Sequence, residues 1–337
     1  MVKQDLNEQL YVGVDVGGTK IQASLIMENG TIIASRRCRT PRPADPELIL
    51  ATIEKTVRKI LKKEKVKASS LSALGIAVPG IVDPKKGKVV FTPNMDFSGA
   101  KVVKYLEDKF SVQVVLGNDC NLGTLGEVWL GAARNAQSAV GILVGTGIGG
   151  GFVQKGKIWQ GAREAAMEIG HMIMQIGGPL CGCGNQGCYE AMAGRLAIER
   201  DIREQVAKGR QTVLTEILDG DLSRVRSGAL KAALDREDEV VTEVVHRAAE
   251  VLGYGCITVR HLLDPEVIVL GGGVMEACSD FILPIVEKIV ASDKLPGARE
   301  GGKVVLSALG DDAVVLGAVA LARRKMGRKW MRVEGGE

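Results

Sequence analysis

The pattern of apolar and polar positions predicts a chain that opens with an antiparallel sheet. Residues 11–18 form an apolar run that ends in a glycine turn, and residues 21–27 and 31–37 follow as two further strands. Asn29 and Gly30 lie between the second and third strands, and this pair favours a tight hairpin turn. We therefore expect a meander of three strands rather than a strand–helix–strand crossover.

Further along the chain, helices and strands alternate. Asp45 followed by Pro46 has the features of a helix N-cap and first helical residue, and Ile49, Ile53 and Val57 recur at helical spacing. Additional strands are predicted over residues 74–82, 112–117 and 266–272, and additional helices over residues 101–110, 189–206, 239–263 and 312–325.

Residues 140–151 repeat the opening pattern of an apolar strand, a glycine turn and a second strand. We interpret the match between residues 12–20 and 142–150 as a weak internal repeat, which predicts two similar halves that face each other across a cleft. The length of 337 residues also favours two domains. From the repeat we place the domain boundary after residue 117, so that a small α/β domain covers residues 1–117 and a large one begins at residue 118.

Composition and charge exclude several classes of protein. Apolar residues make up 46% and charged residues 25%, which is typical of a soluble chain, and no apolar run is long enough to span a membrane. The polar N-terminus shows no secretory signal, so we expect a cytoplasmic protein with its seven cysteines reduced or bound to metal. The net charge of +4 includes one basic stretch, residues 323–332, which we interpret as a solvated helix end rather than a nucleic-acid surface.

The first motif whose residues could bind a ligand is Asp15-Val-Gly-Gly-Thr-Lys20. Successive backbone N–H groups in such a glycine turn can bind phosphate. The cofactor-binding candidates here are Asp15, Gly17, Gly18, Thr19 and Lys20. Thr19 supplies a hydroxyl donor, Lys20 a positive charge, and Asp15 a carboxylate that can hold hydrated Mg²⁺. The alternative is a plain hairpin turn.

Two further glycine turns resemble the first in composition. Gly145, Thr146 and Gly147 begin a turn that lacks the lysine and spacing of a Walker loop and does not open a helix. Together with the first turn, it suits a nucleoside triphosphate held between two halves. Gly271, Gly272 and Gly273 follow an apolar strand and open a helix, which permits a flat ligand to approach the backbone.

The segment Asn118-Asp119 lies at the carboxyl end of a predicted strand, where ligands collect in α/β sheets. A carboxylate at this position can accept the proton of a sugar hydroxyl that attacks phosphorus. The alternative is helix capping by either side chain. The neighbouring phosphate turns favour Asp119 as a catalytic base.

The most specific motif combines His171 with Cys181, Cys183 and Cys188. One histidine and three cysteines form a standard tetrahedral zinc set with no position open for water, so the predicted site is structural. The intervening glycines permit tight turns around a metal. This metal would fix a loop that carries Glu168 at one end and Glu190 at the other.

In their order and spacing, DVGGTK, NDCN, GTGIGGG, EIGH and CGCGNQGCYE resemble the motifs of the ROK group of repressors and sugar kinases, over almost the whole chain. The resemblance implies an α/β, actin-like ATPase (ribonuclease H-like) fold with two domains around a cleft, the C-terminal helix 311–337 completing the small domain, and a large domain of residues 118–310 with dimerisation helices. It also implies a homodimer or a dimer of dimers.

The resemblance further implies roles for individual residues. Asp119 would be the catalytic base, and zinc would bind His171, Cys181, Cys183 and Cys188. Sugar contacts carry over to Gly80, Asn94, Asn118, Asp119, Glu168, His171 and Glu190. Met167 departs from the family pattern, which has a small residue there, and this change indicates a reshaped edge of the sugar pocket.

These observations lead to three functional hypotheses. The first is an ATP- and Mg²⁺-dependent kinase with structural zinc that phosphorylates the 6-hydroxyl of a hexose, with glucose as its substrate. The second is a kinase for N-acetylmannosamine, N-acetylglucosamine or fructose. The third is a sugar-responsive repressor, which is disfavoured because only about ten residues precede the first strand, fewer than a helix-turn-helix module needs.

Overall fold

The computed structural model describes residues 9–93 and 95–328, and these residues group by their contacts into two compact units. Among the described residues, the first unit comprises residues 9–93, 95–135, 153–166 and 311–328, and the second comprises residues 136–152 and 167–310. Each unit has its own buried hydrophobic cluster. No helix within the described residues combines the length and apolar character required to cross a membrane.

The first unit contains a five-stranded sheet with the strand order β3-β2-β1-β4-β7. Strands β1, β2 and β3 are antiparallel, and β1, β4 and β7 are parallel. The strand bounds in this part of the chain are β1 (Leu10–Val16), β2 (Lys20–Met27), β3 (Ile32–Arg39), β4 (Leu71–Val78), β5 (Ile81–Asp83), β6 (Lys88–Phe91) and β7 (Gln113–Asn118). The predicted meander is confirmed, while the small β5–β6 hairpin was not predicted.

Local signals in the sequence explain where these elements begin and turn. Gly30 adopts a φ of +93° between β2 and β3, and the Asn29 side chain accepts a hydrogen bond from the backbone N–H of Thr31 at 2.8 Å. Asp45 caps α1 (Pro46–Lys63) by accepting hydrogen bonds from two backbone N–H groups. Both local predictions are therefore confirmed.

The second sheet repeats the topology of the first, with the strand order β10-β9-β8-β11-β12. Strands β8, β9 and β10 form an antiparallel meander, and β8, β11 and β12 are parallel. The bounds are β8 (Ser138–Val144), β9 (Ile148–Gln154), β10 (Lys157–Ile158), β11 (Val267–Gly271) and β12 (Lys303–Leu306). The predicted internal repeat is confirmed, because both sheets consist of a three-stranded meander followed by two parallel strands.

The remaining helices pack on these sheets. Their bounds are α2 (Val102–Phe110), α3 (Asp119–Leu130), α4 (Tyr189–Ala193), α5 (Arg195–Ala207), α6 (Leu214–Ile217), α7 (Ser227–Leu234), α8 (Glu239–Leu263), α9 (Gly273–Ala291) and α10 (Ala313–Lys325). The single helix predicted over residues 189–206 is wrong, because Gly194 has an extended ψ of 160° and divides it into α4 and α5.

Helix α10 lies very close to the backbone of the first unit. A Cβ atom on Gly13 of β1 would lie 2.2 Å from the carbonyl oxygen of Val315, and one on Gly75 of β4 would lie 2.1 Å from that of Ala318. Only glycine permits such an approach of a helix to a sheet. The C-terminal helix therefore groups with the first sheet.

Helix α3 also groups with the first unit because it packs on α10. A Cβ atom on Gly126 would lie 2.1 Å from the carbonyl oxygen of Ala313, and one on Gly317 would lie 1.7 Å from that of Leu122. The boundary predicted after residue 117 precedes α3, whereas the contacts divide the chain after Asn135.

This close packing predicts an asymmetric response to two glycine-to-alanine substitutions in helices. Gly126→Ala forces a Cβ atom onto the Ala313 carbonyl, so we expect a loss of about 2 kcal/mol in the free energy of unfolding. Gly228 of α7 has open space where its Cβ would lie, so Gly228→Ala should be neutral or stabilising through its higher helix propensity. Thermal melts of both variants test this difference, and equal melting temperatures would contradict it.

Candidate functional site

The carboxyl ends of β1, β4 and β7 meet at one edge of the first sheet. In the parallel register, Asp15 pairs with Ala77 and Ala77 pairs with Gly117. Asp119 follows β7 directly, and Gly80 lies two residues beyond the end of β4. Three sequence-predicted residues from distant parts of the chain therefore lie at the same edge, as expected for ligand-binding groups in an α/β sheet.

Asn118 and Asp119 have different local roles. Asn118 is the N-cap of α3, because its side-chain oxygen accepts a hydrogen bond from the backbone N–H of Asn121 at 3.0 Å. Its amide nitrogen donates to the carbonyl oxygen of Gly80 at 2.9 Å. Asp119 is the first residue of the helix, and its Oδ1 accepts a hydrogen bond from the backbone N–H of Cys120 at 2.8 Å. The capping alternative thus applies to Asn118 rather than to Asp119.

The two carboxylates at this edge are hard to ionise. Burial, followed by the nearby negative charge of Asp119, raises the pKa of Asp15 to about 7. Burial also raises the pKa of Asp119 above its usual range. A carboxyl group whose pKa is raised by burial and by a nearby negative charge is typical of sites that bind a cation or transfer a proton.

The first glycine turn joins β1 to β2. The backbone N–H of Gly17 donates to the carbonyl oxygen of Lys20 at 2.9 Å, which closes the turn. Thr40 supports it from one side, since its hydroxyl donates to the carbonyl oxygen of Gly17 and its N–H donates to that of Thr19. Gly18 lies within the same turn. The turn is therefore a compact, hydrogen-bonded unit.

Lys20 has a partner that the sequence did not suggest. Its Nζ lies 2.9 Å from Oδ1 of Asp311, whose Oδ2 lies 2.9 Å from the guanidinium of Arg37. All three side chains are about half exposed. Asp311 precedes α10, and no motif marked it as a site residue. Lys20 would have to leave or share this ion pair to bind phosphate.

The second glycine turn joins β8 to β9 and is held by the start of α5. The N–H of Gly145 donates to the carbonyl oxygen of Gly147 at 2.9 Å. The N–H groups of Arg195 and Leu196 donate to the carbonyl oxygens of Gly145 and Thr146, both at 3.1 Å. The prediction that this turn leads into a strand rather than a helix is confirmed.

The third glycine segment has a structural explanation. Gly272 is the N-cap of α9 with a φ of +87°, and a Cβ atom on it would lie 2.7 Å from the carbonyl oxygen of Val144. A Cβ atom on Gly271 would lie 3.0 Å from the Leu143 side chain. Close packing against β8 therefore accounts for Gly271 and Gly272, and a ligand contact at these residues or at Gly273 stays a prediction.

The four predicted zinc ligands come together in space. Ligand atoms of His171, Cys181, Cys183 and Cys188 all lie within 4.8 Å of one another. Nδ1 of His171 is 3.7 Å from Sγ of Cys181, and Sγ of Cys183 is 3.7 Å from Sγ of Cys188. A tetrahedral zinc ion with Zn–S bonds of about 2.3 Å requires sulfur atoms about 3.8 Å apart. The donor set therefore fits zinc in both identity and spacing.

Backbone hydrogen bonds and glycines shape this loop. The N–H of Cys181 donates to the carbonyl oxygen of Asn185, and the N–H of Gly184 donates to that of Cys181. Gly184 and Gly187 have φ values of +92° and +76°, which glycine adopts without strain. The expectation that glycines permit tight turns around the cluster is confirmed at these two positions.

The thiols of the cluster differ in how readily they ionise. Burial, followed by hydrogen bonding with Cys183, raises the pKa of Cys188 to about 12. Burial raises the pKa of Cys181, whereas a backbone hydrogen bond from Asn185 lowers the pKa of Cys183. Since a metal ligand must be a thiolate, metal binding at this cluster requires the loss of protons that the folded chain otherwise holds.

Glu168 and Glu190 flank the cluster, as predicted. Glu168 precedes a single 3₁₀ turn, Ile169–His171, which lies against β9 so closely that a Cβ atom on Gly170 would be 1.9 Å from the carbonyl oxygen of Ile148. Glu190 is the second residue of α4. Its Oε2 accepts a hydrogen bond from the N–H of Ile148 at 2.9 Å.

Two of the predicted sugar-site positions need separate comment. Met167 has a φ of +69°, a left-handed conformation that side-chain-bearing residues rarely adopt, and this strain lies directly before Glu168. Asn94 lies outside the described residues.

Arg195, which contacts the second glycine turn, is a site residue that sequence reasoning missed, because no motif distinguished it from the other arginines of α5.

Comparisons with known proteins agree on one family. The sequence model that defines the ROK family matches residues 11–325 of this chain. A glucokinase from Halalkalibacterium halodurans is 32% identical over 322 residues, which cover 95% of this chain and 97% of the relative. A xylose repressor from Caldicellulosiruptor bescii is 26% identical over 310 residues, which cover 92% of this chain and 77% of the repressor.

A solved structure gives the same result for the fold. The ROK family glucokinase from Streptomyces griseus, in complex with glucose and AMPPNP, has a TM-score of 0.82 and 30% sequence identity. The alignment covers 94% of this chain and 99% of that chain. The α/β fold of actin-like ATPases that the resemblance implied is therefore confirmed.

The raised pKa of Asp15 predicts a pH-dependent effect of Asp15→Asn. Between about pH 4 and 7 the folded protein holds a proton on Asp15 that the unfolded chain has released, so the stability of the wild type falls over this range and levels off above pH 7. In EDTA, Asp15→Asn should therefore melt at a higher temperature than the wild type at pH 8 but at a similar temperature near pH 4. The same difference at both values would contradict the buried, shifted carboxyl.

The cysteine cluster predicts a metal requirement. Metal analysis of the purified protein should find about one zinc per chain, and Cys183→Ser should lower the zinc content because it removes one of four ligands. Cys256→Ser, which alters a buried thiol outside the cluster, is the control for loss of a cysteine. Equal zinc contents in the two variants would count against the site.

Proposed function

Because the chain belongs to the ROK family, we propose that it is an ATP-dependent hexose kinase, and that it transfers a phosphoryl group to the 6-hydroxyl of glucose. The observation that carries this proposal is the position of Asp119. It follows β7 at the sheet edge that also holds Asp15 and Gly80, and burial raises its pKa toward the range where a carboxylate is an effective base.

In the proposed reaction, Asp119 accepts the proton of the attacking hydroxyl. The sugar oxygen forms a bond to the γ-phosphorus of ATP as the bond from that phosphorus to the β–γ bridging oxygen breaks, and ADP leaves. The backbone N–H of Cys120 holds Oδ1 of Asp119, which fixes the carboxylate relative to the end of β7. Catalysis of this kind depends mainly on positioning and on stabilisation of charge.

The nucleotide is assigned to the two glycine turns. Backbone N–H groups in the turns after β1 and β8 are suited to phosphate oxygens, with Thr19 and Thr146 as hydroxyl donors. Mg²⁺, when bound with ATP, neutralises charge on the transferring phosphate. Asp15 would hold its hydration shell, and its position near the end of β1, where the first turn begins, supports this role.

The hexose is assigned to polar groups near Asp119 and near the cysteine cluster. These groups are Gly80, Asn118, Glu168, His171 and Glu190, with Asn94 as a further predicted contact. His171 turns Nδ1 toward Cys181, which leaves Nε2 for a hydrogen bond to a sugar hydroxyl. Structural zinc would hold the loop that carries these side chains.

Relatives of about the same length as this chain support glucose as the hexose substrate. The Halalkalibacterium halodurans relative is a glucokinase, and the Streptomyces griseus structure contains glucose and AMPPNP. Both are at least 30% identical to this chain over more than nine-tenths of its length. N-acetylmannosamine, N-acetylglucosamine and fructose are the competing acceptors.

A repressor is the second candidate function, since the xylose repressor from Caldicellulosiruptor bescii matches 92% of this chain. A gel-shift titration with double-stranded genomic fragments, with and without sugar, tests it. The kinase proposal predicts no sugar-dependent DNA complex at physiological salt. A protein–DNA complex that dissociates when sugar is added would instead favour the repressor.

The kinase proposal predicts a specific defect in Asp119→Asn. The amide cannot accept the proton, so kcat should fall by about 10²- to 10⁴-fold while calorimetry shows sugar affinity largely kept. Asp108→Asn makes the same change on an exposed residue of α2 that pairs with Lys104, and it should leave kcat unchanged. If Asp119→Asn turned over at a near-normal rate, Asp119 would not be the catalytic base.

A further inference from the structure

The carboxylate of Glu190 lies between the second glycine turn and the cysteine cluster. Its Oε2 accepts a hydrogen bond from the N–H of Ile148 at 2.9 Å, directly after Gly147. Its Oε1 lies 3.8 Å from Sγ of Cys181. A Cβ atom on Gly147 would be only 1.8 Å from Oε2, so the turn and the carboxylate are in close contact. Glu190 therefore supports this turn directly, whatever it contacts in the sugar.

Arg195 contacts the same turn from the start of α5. Its side chain is only 10% exposed, and its guanidinium donates to Oγ1 of Thr146 at 3.3 Å and to the carbonyl oxygen of Val225 at 3.0 Å. Glu199 balances its charge at 3.3 Å. The backbone N–H of Arg195 also donates to the carbonyl oxygen of Gly145. One buried side chain thus joins the threonine of the turn to two other segments.

Both residues are short distances along the chain from Cys188. A glycine turn that is not held in one conformation loses the alignment of its N–H groups, and an anion then binds more weakly because ordering the turn costs free energy. A hydrogen bond to a charged group is strong enough to hold such a turn. The loop that carries the cysteines is followed at once by the two side chains that fix the turn.

We propose that Glu190 and Arg195 are positioning residues that hold the Gly145–Gly147 turn in the conformation that binds nucleotide phosphates. This inference rests on the proposed kinase function, and it adds to Glu190 a role in nucleotide binding beside its predicted role in sugar binding. Neither side chain needs to contact ATP, since each acts through the turn.

Titration calorimetry with a non-hydrolysable ATP analogue and Mg²⁺, without sugar, tests the role of Glu190. Glu190→Ala removes the acceptor for the N–H of Ile148, so nucleotide affinity should fall about tenfold. Glu190→Gln keeps an oxygen that can accept this bond, and its nucleotide affinity should stay near that of the wild type. If the carboxylate also binds sugar, Glu190→Gln should lose sugar affinity, which separates the two roles.

The same titration tests Arg195 against a neighbour on its own helix. Arg195→Met should weaken nucleotide binding about tenfold, and Arg195→Lys should recover part of the loss because one ammonium can still reach Thr146. Arg200→Met is the matched control, since Arg200 bonds to Asp201 and to the carbonyl oxygen of Ala191 and not to the turn. It should bind nucleotide like the wild type.

Three results would overturn the inference: wild-type affinity in Glu190→Ala, a Glu190→Gln variant as weak as Glu190→Ala, or an Arg195→Met variant no weaker than Arg200→Met. The conservative variants guard against a simple folding defect, because they preserve size and polarity. If the wild type itself bound no nucleotide, the proposed function would fail rather than the assignment of these two residues.

Discussion

The parallel pairing of β1, β4 and β7 is the constraint on which the proposed catalytic residues depend. It places Asp15, Gly80 and Asp119 at one edge although more than 100 residues of chain separate the first from the last. The pairing is in turn fixed by α10, which approaches β1 and β4 so closely that only glycine fits at Gly13 and Gly75. The high pKa of Asp15 is the electrostatic consequence, because Asp15 is buried and the negative charge of Asp119 lies nearby.

In the second unit, the loop that carries the cysteine cluster has little buried apolar packing. The segment from Gln175 to Gly187 is exposed over much of its length, with Ile176 97% and Leu180 70% accessible, so buried apolar contacts cannot hold it. Four metal-ligand side chains within 4.8 Å of one another offer a compact alternative. Tyr189 anchors the far side, since its buried hydroxyl donates to the carbonyl oxygen of Leu252 in α8.

Much of the fold and the composition of the site follow from local sequence signals. The hairpin at Asn29–Gly30 and the cap at Asp45 each depend on a few adjacent residues with one favoured conformation, and both were predicted correctly. The four candidate metal ligands come together as the sequence predicted, while zinc binding itself stays a prediction. The repeat of two sheets was also predictable, because both begin with the same strand and glycine turn.

Features that depend on distant contacts were not predictable in this way. Lys20 pairs with Asp311 across 291 positions of sequence, and α3 belongs with the first unit because Gly126 and Gly317 let it pack on α10. The contact of Arg195 with Thr146 likewise joins segments 49 positions apart. No periodicity or spacing in a single sequence reports such pairs, since they arise only once the elements have packed.

The central claim, that this chain phosphorylates a hexose, is tested most directly by measuring ADP formation from ATP and Mg²⁺ with the zinc-loaded protein across a panel of sugars. The panel contains glucose, fructose, N-acetylglucosamine and N-acetylmannosamine. The account predicts sugar-dependent ADP formation, fastest with glucose, and a product phosphorylated at the 6-position. Failure of every hexose to raise ADP formation above the sugar-free rate would contradict it.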